Sequence, residues 1–145
     1  MSLSFDEAVN EIQQAIDRDA RNTYSEEVLK RFYDPKYMGK ITAPHGYAKI
    51  KGSCGDSMEF FLTVHDEKIT DAQFMTDGCA TTIAAGSMAC ELAMGKNIKD
   101  IPKISQGEIL SKLGGLPEEN EHCALLASNT LICAANNYSE LKKSS

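Results

Sequence analysis

The hydrophobic pattern of this chain changes period near residue 77, and that change limits the folds open to it. Before it, Met58, Phe60, Leu62 and Val64 alternate with Glu59, Phe61 and Thr63. A period of two puts these sets on opposite faces of one strand. Tyr47 to Lys51 alternates more weakly, and Ile69 to Thr76 follows a turn at His65-Asp66-Glu67-Lys68, so a three-stranded antiparallel meander is predicted. After it the period is helical. One helix is predicted from Ala80 to Met94 with Gly95 as its cap, and another from Ser105 to Leu113, opened by a Ser105/Glu108 capping box and stopped by Gly114-Gly115. A last helix should run from His122 or Cys123 to about Tyr138, burying Leu125, Ile132 and Ala135, with Lys142-Lys143-Ser144-Ser145 frayed.

Two helices are predicted ahead of the strands. Ser4 and Glu7 form a capping box for residues 4 to about 19, whose Phe5, Ala8, Val9, Ile12, Ala15 and Ile16 share a face. Such an apolar stripe calls for packing against the sheet, a partner or a second copy. The second helix opens near Thr23 or Ser25, carries Val28, Leu29, Phe32 and Tyr33, and ends at Asp34-Pro35, after which Gly39 opens a loop. Strands followed by helices predict an α+β fold: a three-stranded antiparallel sheet packed on one side by several helices, with an additional N-terminal helix. A chain of 145 residues that is 42% hydrophobic suits one compact domain, read as a helical extension over 1–22 and a main body over 23–145.

Charge and cysteine usage narrow the chemistry. A net charge of -6 argues against a nucleic-acid surface, which needs clustered Lys and Arg. No apolar run reaches the roughly 18 residues that would suggest a membrane span. Five cysteines, an odd number at irregular spacings, argue against a disulfide framework and for a reducing, cytoplasmic setting.

Three of them stand in polar, glycine-bearing settings: Cys54 in Gly52-Ser53-Cys54-Gly55-Asp56, Cys79 in Asp77-Gly78-Cys79-Ala80-Thr81, and Cys123 in Glu121-His122-Cys123-Ala124. Thiolates are soft ligands for zinc, copper(I) and iron–sulfur clusters, and Asp56 and His122 are close enough in sequence to complete a set of four. On the predicted elements Cys54 falls in a turn between strands, and Cys79 and Cys123 fall at helix starts, where unpaired N–H groups favour an anionic sulfur. Cys90 and Cys133 lie in apolar helical runs and are expected in the core. His45, His65 and the Glu118 to Glu121 stretch are expected to be ordinary solvated residues.

Cys54-Gly55-Asp56, Gly78-Cys79 and His122-Cys123 resemble the signature of the iron–sulfur cluster assembly scaffolds, the IscU-type and NifU N-terminal-domain family. Tyr24-Ser25-Glu26-Glu27-Val28 and Asp34-Pro35-Lys36-Tyr37-Met38-Gly39 are similar to that family's opening helix and following turn, so the likeness covers about residues 23 to 138. Between Cys54 and Cys79 lie 24 residues, and between Cys79 and Cys123 lie 43, close to the spacing of the scaffold branch. The resemblance implies that Cys54, Cys79 and Cys123 receive sulfur and bind iron, with Asp56 and His122 completing or modulating the site. It implies a [2Fe-2S] cluster built from iron and the sulfur of a cysteine desulfurase, then passed to apo iron–sulfur proteins. The chain would be an assembly scaffold and sulfur acceptor rather than an enzyme, compatible with a homodimer and with zinc in the as-purified protein.

Within that picture Asp56 is the labile ligand, because a hard carboxylate holds iron less firmly than a thiolate. Cys123, after the loop Gly114 to Glu121, is the candidate first persulfide acceptor. His122 is expected about 100° around the helix from Cys123, a poor general base for that thiol but an alternate ligand. The chain departs from relatives served by a dedicated Hsp70, which carry Leu-Pro-Pro-Val-Lys where this one has Leu116-Pro117-Glu118-Glu119-Asn120, so that chaperone partnership is not expected. Two other readings compete: a zinc-dependent sulfurtransferase of a sulfur-relay system, and a structural zinc-binding adaptor. The short spacing and His122 favour the scaffold over the first.

Overall fold

The computed structural model describes residues 24–53 and 55–144. The predicted helix over residues 4–19 and the 1–22 extension lie outside the described residues. The described elements are α1 (Glu26–Tyr33), β1 (Gly46–Lys51), β2 (Ser57–His65), β3 (Lys68–Thr76), α2 (Ala80–Ala93), α3 (Gln106–Lys112) and α4 (His122–Ser144), with 3-10 helices at Ile98–Lys103 and Glu118–Asn120.

The three strands form one antiparallel sheet in the order β1-β2-β3. Gly46 pairs with Leu62 and Lys51 with Ser57, and Met58 pairs with Thr76 across the second seam. The β2–β3 hairpin closes through Asp66 and Glu67, with φ of 53° and 66°, the left-handed pair that a tight turn between right-twisted strands requires. A register irregularity falls between Thr63 and Val64. His45 works beside it: its Nδ1 accepts from the Val64 amide at 2.9 Å, so this exposed histidine has a structural task the sequence did not suggest.

The alternation sets which face is buried. Met58, Phe60, Leu62, Ala72 and Phe74 are all fully buried, under α4 over β1 and β2 and α2 over β3. On the opposite face Tyr47 leans on Phe61 with ring centroids 5.1 Å apart, and its hydroxyl donates to Glu59 at 2.5 Å. The turn segment that leads to the loop opening at Gly39 lies along β3: the Phe74 amide donates to the Tyr37 carbonyl at 2.8 Å and the Gly39 amide to the Phe74 carbonyl at 2.9 Å.

Helix α2 is enclosed from several sides. Ten of its 14 residues are buried, as a helix apolar on all faces must be. Gly86 faces Phe74 so closely that an added Cβ would lie 2.5 Å from the ring. α1 is fastened to it by Arg31, which is 7% exposed and reaches Glu27 and Glu91 at 2.5 Å each. Burial pulls the Arg31 guanidinium pKa down, but the two carboxylates outweigh it and hold the pKa above the usual value.

α4 departs from expectation in three ways. Its buried stripe runs through Ala124, Leu126, Ala127, Leu131 and Ala134, so Leu125 is 44% exposed while Ala135 is buried and Ile132 half-buried. Cys133, expected in the core, is exposed. Small residues carry the contact with β1, and that turns the buried face away from both Leu125 and Cys133. The expected fraying at Lys142 gives way to helix up to Ser144, where Lys142 pairs with Glu67 of the hairpin turn. Cys90 is fully buried, as predicted. Among the described residues no helix is long and apolar enough to cross a membrane.

Candidate thiol and metal centre

The site forms where the β1–β2 loop, the start of α2 and the start of α4 meet. The loop is drawn tight by the Gly52 amide donating to the Asp56 carbonyl at 2.7 Å and the Gly55 amide donating to the Gly52 carbonyl at 3.0 Å. Gly55 has φ of +94°, a conformation open to glycine and costly for other residues. Cys54 lies outside the described residues. The loop is tied to the approach to α2, since the Ser57 amide donates to Asp77 Oδ1 at 2.7 Å and the Thr76 hydroxyl donates to the Ser57 carbonyl at 2.6 Å.

Cys79 is the N-cap of α2 and is exposed. Its sulfur lies 3.3 Å from Thr81 Oγ1 and 3.9 Å from Thr82 Oγ1. Burial pushes this thiol up, but the Thr81 hydroxyl, the Thr81 and Thr82 amides and the Thr82 hydroxyl together leave it below the ordinary cysteine value. Those amides belong to the open first turn of the helix, where N–H groups lack intrahelical acceptors. They act on the sulfur without reaching full capping geometry.

Cys123, in the first turn of α4, is 1% exposed. Its sulfur is 3.4 Å from Thr81 Oγ1 and 3.3 Å from Thr82 Oγ1, so the same two hydroxyls serve both thiols. Thr82 also donates to Asp56 Oδ2 at 3.2 Å, joining the loop carboxylate to the pair. His122 Nε2 comes 3.8 Å from Cys123 Sγ. At the first residue of α4 the ring comes near its neighbour's sulfur, which the expected separation around the helix did not suggest.

Four of the five predicted residues, Asp56, Cys79, His122 and Cys123, are therefore adjacent. Among the described residues no three His, Cys, Asp or Glu side chains are close enough to enclose one metal ion. Hydroxyls stand between them instead. Thr81 and Thr82, both fully buried, are the site residues that the sequence reading missed. The available signal was two hydroxyls at the second and third positions after a helix-starting cysteine. Gly78 leaves space for them, since an added Cβ there would lie 2.6 Å from the Thr82 side chain. Beside the site a cleft of about 260 Å³ opens between the Gly52 loop and α4, with the exposed Leu125 among its lining residues.

Thiol reactivity offers a check. Burial and the charge of Asp71 push the Cys90 thiol far above its usual value. Because the thiolate is the nucleophile, iodoacetamide at neutral pH is expected to label Cys79 while Cys90 stays unmodified in the native protein. Mass mapping that found the two labelled at similar rates would contradict this geometry.

Comparison with known proteins gives a consistent picture. Residues 23–145 match the NifU-like N terminal domain family. The chain is 40% identical over 116 residues to the iron-sulfur cluster assembly scaffold protein IscU 1 of Archaeoglobus fulgidus, covering 79% of this chain and 76% of that protein. It is 36% identical over 118 residues to the iron-sulfur cluster assembly scaffold protein IscU of Aquifex aeolicus, covering 79% of this chain and 75% of that one. In fold it is similar to the crystal structure of a NifU-like protein (N-terminal) from Brucella abortus, with a TM-score of 0.64 at 16% identity, covering 80% and 94% of the two chains.

Proposed function

Because this chain belongs to the NifU-like N-terminal domain family, we propose that it is a scaffold on which an iron–sulfur cluster is assembled and from which it is handed on. The observation that carries this reading is the meeting of Cys79 and Cys123 on the buried hydroxyls of Thr81 and Thr82, the second of which also reaches Asp56, with His122 against Cys123. Two soft sulfurs and a hard carboxylate suit iron and sulfide held as cargo. A resident electron-carrying cluster is usually held by four thiolates. The scaffold names of the Archaeoglobus and Aquifex relatives support the same role.

In this proposal Cys54, Cys79 and Cys123 are the sulfur-bearing ligands, Asp56 is the ligand that yields, and His122 is the alternate donor. The cargo is a [2Fe-2S] cluster. Sulfur arrives from a cysteine desulfurase: the thiolate of Cys123 attacks the terminal sulfur of the enzyme's persulfide, a new S–S bond forms at Cys123, and the desulfurase leaves as its own thiolate. Two electrons from a separate reductant then release that sulfur as sulfide. Cys123 is 1% exposed, so acceptance there requires the threonine contacts to part, whereas Cys79 is already open. Apo iron–sulfur proteins take the finished cluster, and a reducing cytoplasm suits thiols that must remain unoxidised.

Transfer is the direct functional test. After anaerobic incubation with ferrous iron, cysteine, a cysteine desulfurase and a thiol reductant, the protein is expected to convert an apo-ferredoxin to its holo form. Stoichiometric zinc that iron and sulfide do not displace, with no transfer, would favour a structural zinc protein instead.

A further inference from the structure

Thr82 is the one side chain that bridges all three described sulfur and carboxylate groups. It is fully buried, and its Oγ1 lies 3.2 Å from Asp56 Oδ2, 3.3 Å from Cys123 Sγ and 3.9 Å from Cys79 Sγ. A threonine hydroxyl has one proton and two lone pairs. In the contact with Asp56 the proton goes to the carboxylate, which can only accept, and the Thr82 oxygen is then an acceptor for the Cys123 thiol. Thr81 lacks this reach, because its hydroxyl touches the two sulfurs and not Asp56. The carboxylate and the buried thiol come from separate elements, the β1–β2 loop and α4, and Thr82 joins them at the start of α2.

We infer that Thr82 is a positioning residue that latches the Asp56 loop to the Cys123 thiol, so that Asp56 and Cys123 become available together when its hydroxyl lets go. The latch rests on reading Asp56, Cys79 and Cys123 as one working site, but its test needs no cargo. The Asp56 contact holds the Thr82 hydroxyl in the orientation that lies against Cys123 Sγ, so releasing Asp56 also frees the hydroxyl that covers the thiol. Sulfur delivery to a thiol that is 1% exposed then depends on the threonine hydroxyls parting from it. Iron or a docking partner that engages Asp56 does this by competing for its carboxylate oxygen.

The test is the alkylation rate of Cys123 in the metal-free protein, resolved from the other cysteines by peptide mass mapping at fixed pH. Thr82→Val keeps the shape and removes the hydroxyl, and it is expected to speed Cys123 labelling by roughly three- to tenfold, the scale of one hydrogen bond. Thr82→Ser restores the hydroxyl without the methyl and is expected to return the rate to near wild type, a rescue that loss of packing would not show. Asp56→Ala removes the other end of the latch, so it is expected to speed the same thiol, and the double variant to add little further. Cys90, fully buried, reports on the fold and is expected to remain unlabelled throughout. Should Thr82→Val expose Cys90, the Asp56→Ala arm decides alone. An unchanged Cys123 rate in Asp56→Ala, or Thr82→Ser as fast as Thr82→Val, overturns the latch. Absence of cluster transfer with these rates as expected would count against the scaffold reading and leave the latch standing.

Discussion

Asp56→Ala is expected to slow transfer of a reconstituted cluster to an apo-ferredoxin roughly tenfold, the scale on which changes around a metal's ligands act. In the proposed site the carboxylate is the only hard donor among Asp56, Cys79 and Cys123, and so the group a recipient's thiolates would displace most easily. It also sits on a loop whose base is fixed by short hydrogen bonds while Gly55 turns the chain at φ of +94°. The carboxylate is thus held beside a tight local turn. Replacing it removes the weak point from which exchange begins, and the bound cluster should persist longer. Transfer half-times measured by circular dichroism decide the matter, and a half-time equal to wild type would remove Asp56 from this role.

The second large effect is on stability. Phe74→Ala is expected to cost about 3–5 kcal/mol in chemical denaturation, the range for emptying a buried aromatic site. Phe74 is fully buried, lies 6.3 Å from Phe60 between ring centroids, and supports α2 at Gly86, where its ring leaves no room for a side chain. Gly86 cannot move in to fill the gap without shifting the whole helix. Because α2 presents Cys79, Thr81 and Thr82 at its start, the folded fraction of this variant is also expected to show faster Cys123 labelling. A loss under about 1 kcal/mol would mean that the site collapses freely and that the Phe74–Gly86 contact does not hold α2 in place.

The sheet was legible because Met58, Phe60, Leu62 and Val64 bury one face at a period that only a strand satisfies, and the helix starts because Ser25 and Ser105 cap them through their side chains. Both signals are local. α4 was harder to read, since its buried stripe is mostly alanine, and weighting large residues turned the predicted face towards Leu125 and Cys133, which are exposed. In its C-terminal turns Lys142 meets Glu67, a contact between distant parts of the chain that no local pattern reveals. At the site, the glycines and acids around the cysteines drew attention to Asp56, Cys79, His122 and Cys123, which the fold brings near one another. Thr81 and Thr82 were invisible because threonine in a helix is ordinarily neutral, and only the convergence of three elements gives their hydroxyls a task. The same convergence buried Cys123 and left Cys79 open, a difference that neighbouring residues in sequence did not carry.

Asp56, Cys79 and Cys123 are held apart by the hydroxyls of Thr81 and Thr82. Arg31 and its two glutamates, Phe74 against Gly86, and the Ser57–Asp77 contact fix α2 and the end of the β1–β2 loop, two of the three elements that meet there. The central claim is that these elements assemble iron and sulfide together. The measurement that bears on it most directly is the iron and acid-labile sulfide content per chain after desulfurase-driven anaerobic reconstitution, in the wild type and in Cys79→Ser. Equal amounts of iron and sulfide in the wild type, both largely lost in Cys79→Ser, are the predicted result; zinc or iron bound without sulfide, or a content indifferent to Cys79, would contradict it.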